Sequence, residues 1–201
     1  MTPREWFTTA ADGYLTVVSG ASADVLDAPG LGEWDVRSLL GHSARAFQTI
    51  ETYLAAEPEA ISLRGPSEYF IATRAGLADP VAVTERGRAA GIALGDDPIT
   101  AIGEIADRVL ALVNAEPDDA VATTPVGAIT LLDYLPTRAF ELTVHGLDLA
   151  AATRQSTPKE LAISAVDAAQ LAIPLSGPTR AAEILFALTG RGQLAEGFSV
   201  L

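Results

Sequence analysis

A chain of 201 residues, 49% of them hydrophobic, is long enough to bury one substantial core. Its formal net charge of -13, set against twelve arginines and a single lysine, argues against sequence-independent nucleic-acid binding, which needs a basic surface, and leaves room only for a local basic patch. Cysteine is absent, which removes disulfides, thiolate metal ligands and a cysteine nucleophile together, so any thiol chemistry must use a thiol supplied from outside.

The N-terminal stretch MTPREWFTTAADGY has no basic run followed by an apolar core, and no later window approaches transmembrane length. The expectation is a cytoplasmic protein with no membrane partner. A first helix is predicted to begin after Thr2, with Pro3 in its first turn and Trp6, Phe7, Ala10, Tyr14, Leu15, Val17 and Val18 on one apolar face. A loop through Asp27, Pro29, Gly30 and Gly32 leads to Asp35, an N-cap candidate for a second helix whose core face is marked by Val36, Leu39, Leu40, Phe47, Ile50 and Leu54. Trp34 reads as a loop aromatic covering the end of the bundle. His42 sits at the edge of the core face, where a lone imidazole is ordinarily a hydrogen-bonded core residue.

Glu57, Pro58 and Glu59 end that helix, and two short helices are predicted at 67–75 and 80–93. Arg74, Arg86 and Arg88 are the cations of this stretch, read as solvated side chains with contact to a substrate carboxylate as the alternative. A further bundle helix is predicted over 99–114, with Ile102, Ile105, Ala106, Leu110 and Val113 inward. After a loop over 115–127, Thr130 and Asp133 give a capping signal for a helix over 130–152, with a short kink expected at Pro136. Thr157 and Glu160 give another, with Pro158 at the first position of a helix over 158–175. Ser176, Gly177 and Pro178 break it, and a last helix runs to Leu188 before Gly190. Strand signals are weak throughout. The fold class is therefore all-α: a helical bundle over 1–155 with a helical extension over 156–201 packed on it.

Within 130–152, Arg138, Glu141, His145 and Asp148 follow at steps of three and four and form a polar stripe on a mainly apolar cylinder. Glu141 and His145 alone read as a solvated ion pair. The only other histidine, His42, lies on a helix that can pack against this one, and two imidazoles and a carboxylate converging from two helices suggest a metal site. Three protein ligands leave a position for water or substrate, and imidazole with carboxylate suits zinc, although nickel, iron or manganese use the same donors. Asp148 is placed to orient the second ring nitrogen of His145 and Arg138 to hold Glu141; each also reads as a surface charge.

The pattern GEWDVRSLLGHSA, followed about a hundred residues later by RAFELTVHGLDLA, resembles the mycothiol-dependent maleylpyruvate isomerase family, part of the DinB-like metal-binding helical bundles. AAEILFALTGR near the end is similar to that family's C-terminal signature, and VATTPVGA to the extended segment before its ligand helix. The resemblance implies a DinB-like four-helix bundle with a C-terminal helical extension, a divalent metal, most simply Zn2+, on His42, Glu141 and His145, and mycothiol as the thiol cofactor. It implies a maleylpyruvate isomerase or thiol S-transferase activity on an electrophilic small-molecule substrate, with an arginine anchoring substrate carboxylates. Arg191, in the C-terminal signature, is the candidate anchor, with helix-end capping as its alternative. A metal-dependent hydrolase and a non-catalytic, metal-stabilised binding or scaffold protein stay open as alternatives.

Overall fold

Helix α1, Pro3–Gly20, begins at a reciprocal cap: the Thr2 hydroxyl accepts from the Glu5 amide and the Glu5 carboxylate accepts from the Thr2 amide. Helix α2, Val36–Leu54, starts where the Asp35 carboxylate accepts from the Ser38 amide. Helices α3, Pro66–Gly76, and α4, Pro80–Ala93, fill the stretch where two short helices were predicted. Helix α5, Pro98–Ala115, is capped by Asp97, and helix α6, Leu131–Ala152, by Thr130, whose hydroxyl accepts from the Asp133 amide. Helix α6 is assigned without a break across Pro136. Helices α7, Lys159–Leu175, and α8, Gly177–Leu188, complete this computed structural model, which describes residues 1–76 and 79–200; Leu77, Ala78 and Leu201 lie outside the described residues.

The architecture is all-α. Helices α1, α2, α5 and α6 close a four-membered ring in which α6 packs on α1 and α2, and α5 completes the circuit between α2 and α1. Their shared core holds Phe7, Tyr14, Leu39, Phe47, Ile102, Leu135 and Leu142, all without solvent exposure. An exposed bidentate pair of Arg108 on Glu51 joins α5 to α2 at the surface. Helix α7 lies against both α1 and α6, whereas α8 packs chiefly on α7 and buries no residue completely.

Two details depart from the sequence-based expectation. Two small antiparallel hairpins occupy segments read as loops: β1, Pro29–Leu31, with β2, Trp34–Asp35, and β3, Val121–Thr124, with β4, Gly127–Thr130. Strands of two to four residues carry too few alternations to register as a period-two pattern. Thr157 does not cap α7; Pro158 takes the N-cap position and makes no side-chain cap bond.

Where α7 meets the bundle, a buried polar chain links three helices. The Trp6 indole donates to the Ser164 hydroxyl at 2.7 Å, and Ser164 and Thr143 hydroxyls stand 2.5 Å apart. Ser164→Ala orphans the buried indole N–H, a loss of about 1–3 kcal/mol. The expected result is a melting temperature lower by roughly 2–4 °C per kcal/mol, read by thermal denaturation.

Candidate metal centre and its cavity

Helices α2 and α6 face each other so that His42 from one meets Glu141 and His145 from the other. One ligand atom from each of the three lies within 4.8 Å of the others. The His42 and His145 rings meet edge to face, with centroids 4.8 Å apart, and His145 Nε2 stands 3.2 Å from Glu141 Oε2. Donors held at 2.0–2.2 Å around a tetrahedral ion are roughly 3.4 Å apart, so this set can close on a divalent ion with small side-chain movements. The chain thus contains a possible His/Glu metal-binding triad.

The electrostatics follow from partial burial. Burial disfavours the His145 cation, but hydrogen bonds to Asp148 and Glu141 outweigh that cost and raise its pKa to about 9. Burial would raise Glu141, yet the His145 hydrogen bond and the nearby positive charges win and lower it to about 2. Burial, reinforced by the charge of His145, lowers His42 to about 4. Without an ion, the triad is therefore a neutral imidazole beside an imidazolium–carboxylate pair, and the proton on His145 occupies the place that a metal would take.

Around the triad, a cavity of about 710 Å³ opens between α2, α3, α4 and α6. Trp34 lies against His42, with ring centroids 4.5 Å apart, and its indole donates to the Thr84 carbonyl in α4. It is a wall of the cavity rather than a cover on the bundle's end. Tyr53, Tyr69 and Phe70 supply further aromatic walls, and Pro125 from the turn between β3 and β4 also lines the space. That places the VATTPVGA segment at the site's edge.

The remaining predicted residues divide clearly. Asp148 Oδ2 accepts from His145 Nδ1 at 3.1 Å, which leaves Nε2 facing Glu141. Arg138 is brought to the cavity but makes no ion pair with Glu141; its Nε donates to the Thr137 hydroxyl, and its guanidinium lies over the rings of Tyr69 and Tyr134 at 5.4 and 4.8 Å. Arg74 and Arg86 line the cavity, whereas Arg88 is outside it, paired with Glu85 and Glu33. Arg191 is not brought to the site. It is exposed beyond the end of α8, its amide donating to the Phe186 carbonyl and its guanidinium to that of Thr189, so it caps the helix. Sequence reasoning missed Arg45, a cavity residue whose only signal is its position three after His42, on the same helical face.

Among the described residues no helix is long and apolar enough to cross a membrane. A family model for the mycothiol maleylpyruvate isomerase N-terminal domain matches residues 7–150, a span that runs from within α1 to near the end of α6 and includes all three residues of the triad. No curated protein and no solved structure gives a significant match.

Proposed function

The chain belongs to the mycothiol maleylpyruvate isomerase N-terminal domain family, and from that premise we propose that it is a metal-dependent enzyme using mycothiol, of maleylpyruvate isomerase or thiol S-transferase type. The observation that carries the reading is the convergence of His42, Glu141 and His145 at the wall of a cavity large enough for a thiol and a small electrophile. In this reading the three side chains hold one divalent ion, zinc by preference for this donor set. Such an ion supplies Lewis acidity that lowers the pKa of a coordinated thiol or water.

The chain's own residues do the rest. Asp148 holds the Nδ1 proton of His145 and so fixes the tautomer that presents Nε2. Trp34 packs on His42 and holds its ring in place, and the aromatic walls offer a ligand apolar surface beside the triad. The bundle over 1–155 carries the site, the extension over 156–201 packs on it, and the enzyme acts in the cytosol.

The test is to load the protein with zinc and follow consumption of electrophiles, maleylpyruvate first, with and without mycothiol. Consumption that needs both metal and thiol is the expected result. Equal turnover without thiol identifies a hydrolase instead, and bound zinc with neither thiol binding nor turnover identifies a scaffold. Asp148→Asn keeps the ligands but loses the charged acceptor, and should weaken zinc binding 10- to 100-fold in competition with a chromogenic chelator.

A further inference from the structure

Arg138 is only 8% exposed, and what exposure it keeps is on the cavity. A guanidinium carries five N–H donors and cannot shed its charge. Here Nε alone has an acceptor, the Thr137 hydroxyl; among the described residues neither terminal nitrogen donates to anything, and no carboxylate lies within ion-pair distance. The rings of Tyr69 and Tyr134 stabilise the charge and leave those donors at the cavity, where solvent reaches them. A mostly buried guanidinium whose terminal donors meet only cavity solvent is placed to take a ligand's acceptor there.

The surroundings say what that something is. In a protein of net charge -13, the cavity is lined by Arg45 and Arg74 as well as Arg138, and among the described residues Glu141 is the acidic member of that lining. A cation-rich hollow in an acidic molecule concentrates anions there. We infer that the two terminal nitrogens of Arg138 are the seat of a carboxylate group carried by the ligand, bound as a bidentate pair in the cavity that Tyr53 and Tyr69 also line. Arg138 precedes Glu141 by three residues on α6, so the seat stands about one helical turn from the triad. The carboxylate therefore orients the ligand while the triad meets another of its atoms. This concerns the same cavity as the thiol-enzyme reading and rests on that reading only in taking the cavity as the binding site.

Benzoate and benzamide make a suitable pair of probes, because they share a shape and differ in charge. By calorimetry, the wild type, with or without zinc, should bind benzoate roughly tenfold more tightly than benzamide, the ratio expected of one charge-assisted bidentate contact. In Arg138→Gln the preference should fall to nearly one, and Arg138→Lys should restore part of it, since a point charge keeps attraction without the fork. Circular dichroism melting of each variant separates lost binding from lost folding. A wild type without preference for benzoate, or an Arg138→Gln protein that keeps it, overturns the proposal. Preference that disappears with zinc removal but survives Arg138→Gln assigns the carboxylate to the metal, which overturns the Arg138 seat while supporting the metal centre.

Discussion

Replacing His145 with alanine is expected to yield a folded protein that no longer retains zinc and shows no thiol-dependent turnover, and His42→Ala should do the same. Neither ring is part of the fully buried core, so the bundle should survive either truncation. The metal should not. A three-donor site loses a coordinate bond with each substitution, a larger penalty than the 10- to 100-fold attached to an outer hydrogen-bond partner such as Asp148. The two variants are not equivalent without metal. His145→Ala removes the cation that holds Glu141 near a pKa of 2 and leaves a partly buried carboxylate with less compensation, while His42→Ala removes a ring already neutral at pH 7. Metal-free His145→Ala should therefore be the less stable of the two, and metal analysis beside thermal melting reads both effects. Stoichiometric zinc retained by either variant would remove that histidine from the ligand set.

The parts of this structure that were legible in the sequence are those settled within a few residues. Asp35 and Thr130 cap the helices they were expected to cap, and the first helix begins after Thr2 as expected, because a helix start is settled by bonds between a side chain and an amide two or three residues on. The triad was legible for a related reason: Glu141 and His145 are one turn apart, and a chain with two histidines leaves few ways to complete the set. What depended on tertiary packing was misread. Arg138 has the spacing to reach Glu141, but Tyr69 arrives from α3 and draws the guanidinium between two rings. Tyr53, Tyr69 and Tyr134 sit at positions that a helical pattern cannot tell from ordinary core, so the aromatic wall had no sequence signature. Arg191 was read either as a carboxylate anchor or as a helix-end cap, and its amide and guanidinium bond to the helix end from which it emerges, as the second reading has it.

Gly41→Ala should be the most damaging single methyl that can be added to the bundle. Helix α4 crosses α2 so closely that a Cβ on Gly41 would overlap the backbone of Ala90 and Gly91, and backbone cannot rotate aside as a side chain can. The facing residue is equally confined, since a Cβ on Gly91 would stand 2.6 Å from the Arg37 carbonyl oxygen. Helix α4 must therefore move away. It carries Arg86 and Val83 of the cavity wall and the Thr84 carbonyl that holds the Trp34 indole, so displacement loosens the ring packed on His42. Alanine would otherwise favour a helix by up to about 1 kcal/mol over glycine, and overpacking of this kind costs about 1–3 kcal/mol or more. The net expectation is a loss of up to about 2 kcal/mol together with weaker ligand binding. Gly103→Ala is the matched control: it lies inside α5, and nothing within 4 Å meets its added methyl, so the same change should be neutral or stabilising. Equal effects at the two sites, measured by denaturant unfolding, would mean that α4 does not lie on α2 as closely as described. Destabilisation at Gly41 alone, with metal retained and ligand affinity reduced, would show that α4 shapes the ligand side of the cavity while the triad is held by α2 and α6.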